Sequence, residues 1–158
     1  MNESIDPHEG LRFTEDESFS LGRVSDLYKL LLGIDEAMPD DATLYLEGTS
    51  IAPEITTFLK SHASVSDTTR PIACGTLWPS AKAFHLSLDG NNMSQLRELA
   101  EHHAEPEICD HLGVYRGDNL LLWAPDAGDG DVELARSLPG EVLRKLEHSL
   151  GNSLEKEA

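Results

Sequence analysis

The sequence predicts a single α+β domain, with helices lying mainly on one face of an antiparallel sheet. Its 158 residues suit one domain, and 39% hydrophobic against 26% charged residues permits one core. From residue 42 onwards, segments with apolar residues at every second position alternate with segments whose apolar residues recur every three or four positions. These two periods are typical of strands and helices, respectively.

The stretch 1–20 is predicted to be an acidic, irregular arm. It combines many carboxylates with the single Arg12 and few apolar side chains, so it cannot bury enough surface to fold alone. Phe13 and Phe19 are the side chains expected to hold it against the domain. We assign the domain to residues 21–151 and a frayed tail to residues 152–158.

A first helix is predicted after Ser20, a suitable N-cap, because apolar residues recur at helical spacing up to Met38. Pro39 ends this pattern. Residues 42–48 then alternate apolar and polar side chains and form the first predicted strand.

A second helix is predicted with Pro53 in its first turn, and a polar loop at 62–69 follows it. Strands at 72–78 and 83–88 then form a predicted hairpin. The remaining predicted elements are a third helix from Met93 that ends before Pro106, strands at 112–115 and 120–124 around a turn at Gly117, a strand at 132–136, and a last helix from Pro139 to Gly151.

From Ala42 the elements follow the order strand, helix, strand, strand, helix, strand. This order is typical of the split βαβ arrangement of ferredoxin-like folds, here extended by one or two C-terminal strands. In that topology Cys74 and Cys109 lie far apart on the sheet, so we expect reduced thiols and no bridge between them.

The charge balance restricts the classes of partner. Lys and Arg number 12 against 29 Asp and Glu, which gives a formal net charge of −17. A field of that sign repels nucleic acid and anionic membrane surfaces, so neither is an expected partner. The chain also has no apolar run of the ~20 residues that cross a bilayer and no signal-peptide pattern at its start, which predicts a cytoplasmic protein.

One segment, 101–111, contains side chains that can bind zinc. The candidate ligands are His102, Cys109 and His111, with His85 on its strand as a fourth. The segment has neither an HExxH nor a CxxC spacing, and adjacent histidines point about 100° apart on a helix. The alternative is structural, with His103 in the core, His102 solvated and Cys109 a buried filler. No cofactor is expected, and zinc is the alternative.

Acidic residues in the same segment and in the loop 125–133 form the predicted interaction surface. The loop has a composition that suits calcium but lacks the EF-hand spacing, and turn geometry explains its Asp and Gly residues. Likewise, helix capping explains Gly48 to Ser50 better than anion binding does. The residues of the predicted surface are Glu101, Glu105, Glu107, Asp110, Asp126, Asp129, Asp131 and Glu133.

The sequence favours binding over catalysis, because it contains no GxSxG elbow and no cysteine in a basic setting. We therefore predict a non-enzymatic interaction module that binds a basic protein partner, as immunity proteins and inhibitors of basic enzymes do. The alternative is a small metal-binding protein or metal-dependent enzyme that uses residues 102–111. A third interpretation is that the acidity is an adaptation to salt or serves solubility. The oligomeric state is left open.

Overall fold

The computed structural model describes residues 13, 18–67, 82–117, 119–127 and 129–155. In this part of the chain four helices and one antiparallel sheet form an α+β fold, as predicted. The strands are β1 (Ser18–Val24), β2 (Thr43–Gly48), β3 (Ser64–Asp67), β4 (Lys82–Ser87), β5 (His111–Arg116), β6 (Asn119–Ala124), β7 (Gly130–Ala135) and β8 (Leu154–Glu155). The helices are α1 (Leu27–Ala37), α2 (Pro53–His62), α3 (Gly90–Ala100) and α4 (Gly140–Leu150).

The strands lie side by side in the order β3-β4-β2-β5-β6-β7-β1-β8. Every neighbouring pair with a recorded register is antiparallel. The edge β3 and the strand β5 are separated by β4 and β2, because β2 pairs with both β4 and β5.

All four helices pack on one face of the sheet. Alternate strand residues such as Leu44 and Leu46 share a single buried cluster with Leu31 of α1, Ile55 of α2 and Met93 of α3, and α4 joins it through Leu146 and Leu150. The intervening strand residues point to the other side, which we call the far face: Tyr45, Glu47, His85, His111, Tyr115 and Trp123. Among the described residues, no helix is both long and apolar enough to cross a bilayer.

The start of the domain differs from the prediction. Residues 18–24 form β1, which pairs with β7, so the arm predicted at 1–20 and the helix predicted after Ser20 both overlap a strand. The helix begins at Leu27 instead, because the carboxylate of Asp26 accepts the backbone N–H of Lys29 and caps it. A β-bulge between Ser20 and Gly22 interrupts the alternation of apolar residues in β1, so Leu21 and Val24 do not follow the period of a strand.

The polar loop predicted at 62–69 was also wrong in part, because Ser64–Asp67 forms the edge strand β3. An edge strand is hydrogen-bonded to a neighbouring strand on one side only. The mostly polar sequence of β3 contains no alternation of apolar residues that would predict a strand. The predicted strand 72–78, its turn to the next strand, and Cys74 lie outside the described residues.

The later elements are confirmed with small shifts. Pro53 is the first residue of α2, β5 and β6 form the predicted hairpin with Gly117 at a φ of 64°, and α4 ends at Gly151 with a φ of 52°. The predicted frayed tail is partly ordered, since Ser153 is buried and β8 pairs with β1.

Candidate functional site

The predicted acidic surface lies at one end of the sheet. Register places the start of β5, the end of β6 and the start of β7 side by side, because Leu112 pairs with Ala124 and Trp123 with Glu133. The segment 101–110 leads into β5, and the segment 125–131 comprises the loop after β6 and the first two residues of β7. We call these two segments together the acidic end. They are joined directly, since the backbone N–H of Ala127 donates to the carbonyl of Asp110 at 3.0 Å.

Several carboxylates at this end stabilise the fold. Glu105 accepts the backbone N–H of Leu27 at 3.3 Å, at the positive end of the α1 dipole. Asp129 pairs with Arg23, which also reaches Glu155 at 3.4 Å. These contacts hold the loops in place and leave those carboxylates less available to a partner.

Other carboxylates of the predicted surface are presented to solvent. Glu101 and Asp131 are exposed and form no ion pair within the described part of the chain. Asp126 is also exposed and has a φ of 52°, which fixes the turn after β6. Glu133 lies elsewhere, half-buried on the sheet, where it accepts the hydroxyl of Ser18 at 2.9 Å.

In the loop between β2 and α2, a carboxylate of the chain itself occupies the position where an external anion could bind. The backbone N–H and the hydroxyl of Thr49 both donate to Asp110, at 3.1 and 3.2 Å. Asp110 therefore already occupies the position at which the stretch Gly48 to Ser50 was considered for anion binding.

His103 connects α2 to the acidic end through two carboxylates. Its Nε2 lies 3.0 Å from Glu54 and its Nδ1 lies 3.2 Å from Glu107. Two ring nitrogens can donate together only in the imidazolium form. The hydrogen bond to Glu54 is the main cause that raises the pKa of His103, and Glu107 adds to it.

This bridge makes the stability of the protein dependent on pH. Because the pKa of His103 is raised on folding, its contribution is full below the ordinary histidine pKa and is lost as the pH rises through the folded value. We expect His103→Gln to lower the melting temperature at about pH 6 and to do so progressively less towards about pH 9. The control is His102→Gln, which removes an imidazole from the exposed neighbouring position. A His103→Gln effect that stays constant with pH would contradict the bridge.

The structure does not bring the four predicted zinc ligands together. Cys109 is buried in the cluster beneath the helices, and burial raises the pKa of its thiol away from the thiolate form that binds zinc. His102 is exposed after α3. His85 and His111 lie on β4 and β5, on either side of β2, and pair with Tyr45 and Glu47, so their backbones are about 12 Å apart. In the described residues no three His, Cys, Asp or Glu side chains are arranged to hold a metal ion.

The far face carries a second set of polar side chains, which the sequence did not predict as a site. One row crosses five strands, in which His85, Tyr45, Gly113, Trp123 and Glu133 are successive partners. Tyr45 and Trp123 are fully buried, although no helix covers this face in the described part of the chain.

A buried acid, a phenol and an imidazole lie together in this set. Tyr45 donates its hydroxyl to Glu47 at 2.8 Å, and Glu47 is the cross-strand partner of His111. Burial raises the pKa of Glu47, with a smaller contribution from the charge of Asp110, while the hydrogen bond from Tyr45 acts in the opposite direction.

His111 is held in its neutral form with a defined tautomer. The backbone N–H of Asp126 donates to its Nδ1 at 3.0 Å, so the ring proton belongs on Nε2. Burial lowers the pKa of His111, against the opposing charges of Asp126 and Asp110. The side chain therefore offers one N–H donor.

The Trp123 ring lies over its cross-strand partner Gly113, which has no side chain to occupy that space. A Cβ at Gly113 would stand 3.0 Å from Cε3 of the Trp123 ring, so the indole can adopt this position only because residue 113 has no side chain. Its ring centroid is 6.4 Å from that of Tyr45 and 6.2 Å from that of His111. Within the described structure the indole N–H is buried and has no hydrogen-bond acceptor.

The sequence contains one signal for this set of polar side chains. Tyr45 and Glu47 alternate with two leucines on β2, and Tyr115 and Trp123 lie on the next two strands of the sheet, β5 and β6. Alternating polar aromatics on adjacent antiparallel strands meet on one face, but only the register shows which of them become neighbours.

Three comparisons with known proteins gave no relative. No protein family, no curated protein and no solved structure matches this chain.

Proposed function

We propose that this chain is a non-enzymatic interaction module that binds a basic protein partner through its acidic end. The observation that carries the proposal is that two loops rich in carboxylates and free of lysine and arginine, 101–110 and 125–131, are joined at one end of the sheet. In the described structure the cations beside these carboxylates are Arg23, which pairs with Asp129, and the His103 imidazolium, which contacts Glu107. With a net charge of −17 behind it, this surface favours rapid encounter with a positively charged surface.

We also propose that residues 43–116 form a ferredoxin-like unit to which β6, β7, β1 and β8 are added. Support comes from the order β3-β4-β2-β5, which keeps the second strand of the unit at the edge and its first strand between the third and fourth. The added strands carry the second acidic loop to the side of the first.

The test is affinity chromatography of a native-cell extract on the immobilised full chain. We expect a basic protein to be retained at about 0.05 M salt and released by about 0.5 M, because screening shortens the range of the attraction. The variant Glu101→Gln, Asp126→Asn, Asp131→Asn should retain at least about tenfold less of it. Asparagine suits the positive φ at position 126, so this variant keeps the turn.

A matched control removes three negative charges at the opposite end of the sheet. Asp40→Asn, Asp41→Asn, Glu141→Gln changes exposed residues before β2 and at the start of α4. It should retain the partner as the unchanged chain does. Equal losses in both variants would show that net charge alone is responsible, and retention that ignores salt would refute the proposal.

A further inference from the structure

His111 joins the sheet to the acidic end. It is the first residue of β5, its side chain is buried on the far face, and its cross-strand partner is Glu47. Its Nδ1 accepts the backbone N–H of Asp126 at 3.0 Å, and the N–H of Ala127 donates to the carbonyl of Asp110. Two hydrogen bonds therefore hold the turn after β6 against the residues that lead into β5, and one of them depends on an imidazole.

The turn at residues 125–127 has an unfavourable backbone conformation. Asp126 has a φ of 52°, a left-handed value that costs energy for a residue with a side chain. Such a conformation persists only while the contacts around it are retained. The carbonyl of Asp126 accepts the N–H of Asp129 at 2.9 Å, so the conformation of this residue directs the course of the loop. Loss of the bond to the ring would let the turn relax to another conformation.

Protonation of the His111 ring and its hydrogen bond to Asp126 exclude each other. Nδ1 accepts the N–H through its lone pair, so the single ring proton of the neutral form is on Nε2. A second proton can be added only to that lone pair. The imidazolium would then direct its own N–H at the N–H of Asp126, and two donors repel each other at 3.0 Å.

Carboxyl groups from three parts of the chain face this ring. Glu47 lies opposite on β2, Asp110 comes directly before the ring in the sequence, and Asp126 lies in the turn. Two aromatic side chains are also close, Trp123 with its ring centroid 6.2 Å away and Tyr45, which donates to Glu47. The charges of Asp126 and Asp110 favour the imidazolium, so carboxylate acceptors are close to the charged ring once the turn has moved.

From this geometry we infer that the hydrogen bond between His111 and Asp126 is a pH-operated latch on the turn at residues 125–127. The latch is closed while the ring is neutral. Mild acid opens it, so that the turn moves away from residues 101–110 and the acidic end divides into two parts. The latch acts on the turn whether or not the acidic end binds a basic protein, so it does not depend on the function proposed above.

The surroundings of the ring determine the pH at which the latch opens. Burial lowers the pKa of His111 below its ordinary value of about 6.5, against the opposing charges of Asp126 and Asp110. With the turn open the ring is solvated and its pKa returns towards the ordinary value. The open form therefore binds the proton more tightly. The ratio of open to closed turn should rise by up to about tenfold for each pH unit below about 6.5, until the pKa of the closed form is reached.

The test is an NMR titration of the full chain from about pH 8 to about pH 5, the range in which histidine charges. It follows the ring nitrogen resonances of His111 and the backbone amide resonances of Asp126 and Ala127. We expect Nδ1 to be unprotonated at the start, and the Asp126 amide to lose its hydrogen-bonded shift in step with protonation of the ring. The amide of Leu122, within a paired strand, should not follow that transition.

His111→Asn is the decisive variant, because its amide oxygen lies close to the position of Nδ1 and accepts an N–H without taking up a proton. The turn should stay closed, and the Asp126 amide resonance should stay constant over the whole titration. His102→Asn, the same change at the exposed neighbouring position, should titrate as the unchanged chain does. Where His111→Asn loses its dispersed spectrum, the titration of the unchanged chain decides: a ring that protonates without any change at Asp126, or that stays neutral throughout, overturns the inference.

Glu47→Gln separates protonation of the ring from protonation of its acidic neighbour. Burial raises the pKa of Glu47, so this carboxyl also takes up a proton as the pH falls. Glutamine keeps an acceptor for the Tyr45 hydroxyl and removes the ionisable group. The joint change of the His111 ring and the Asp126 amide should persist in this variant. Its disappearance would assign the transition to Glu47 and overturn the latch, as would a turn that opens in His111→Asn at the same pH as in the unchanged chain.

Discussion

Gly130→Ala should destabilise the protein by about 1–3 kcal/mol, because the added methyl group has no room and the atoms in its way belong to the backbone. A Cβ at position 130 would stand 2.6 Å from the carbonyl oxygen of Pro125 and 3.3 Å from that of Asp126. Relieving this clash would shift the turn after β6, which the hydrogen bond from Asp129 to the Asp126 carbonyl closes at 2.9 Å. Urea unfolding should show a lower midpoint with an unchanged slope.

Gly140→Ala is the matched control for this substitution. Position 140 begins α4, and the nearest atom to an added Cβ is the end of the flexible Arg144 side chain at 3.6 Å. The free energy of unfolding should change by less than about 0.5 kcal/mol. If both substitutions lower the free energy of unfolding equally, the backbone of the 125–130 turn moves to accommodate the methyl group. That result would contradict the prediction for Gly130→Ala.

Glu47→Gln should stabilise the protein at neutral and alkaline pH by about 1 kcal/mol, because it removes a buried charge and keeps the side chain's shape. The amide oxygen can still accept the hydroxyl of Tyr45, which is 2.8 Å from the carboxylate. In a domain of this length the melting temperature should rise by about 2–4 °C.

The pH dependence of this effect follows from the raised pKa of Glu47. A carboxyl whose pKa is higher in the folded state contributes stability fully below its ordinary value, and that contribution is lost as the pH rises through the folded value. The advantage of Glu47→Gln should therefore be small at about pH 4 and grow towards about pH 8. Glu133→Gln removes a charge from a half-buried position on the same face and measures the general effect of net charge. A Glu47→Gln advantage that is the same at both pH values, or matched by Glu133→Gln, would contradict the burial of a charged carboxylate.

Much of the helix-side architecture could be predicted from the sequence because burial on one side leaves a periodic pattern. The apolar spacing in α1, α2 and α4 and the alternation of Leu44 and Leu46 reflect a single aliphatic core. The errors occurred where that pattern is weak. In β1 a bulge between Ser20 and Gly22 interrupts the alternation, and in β3 an edge position requires little apolar surface.

The candidate sites could be predicted to different extents. The positions of carboxylates along the chain are visible in the sequence, so the two acidic loops were identified. Which of these carboxylates form hydrogen bonds or ion pairs within the protein depends on residues far away in sequence. Asp110 is bound by Thr49, and Asp129 pairs with Arg23. The zinc hypothesis joined residues that are close in sequence, but Cys109 and His111 belong to different environments, one beneath the helices and one on the far face.

By itself the sequence determined the class of the fold, the positions of the last three helices and the concentration of negative charge in two loops, since each depends on local composition and spacing. Only the tertiary structure decided that these loops meet at one end of the sheet and that Tyr45, Glu47, His111 and Trp123 are neighbours. Strand register sets those contacts, and a shift of one residue would turn each of these side chains to the other face. The absence of a side chain at Gly113 makes room for the Trp123 ring only because the pairing of β5 with β6 places the two residues opposite each other.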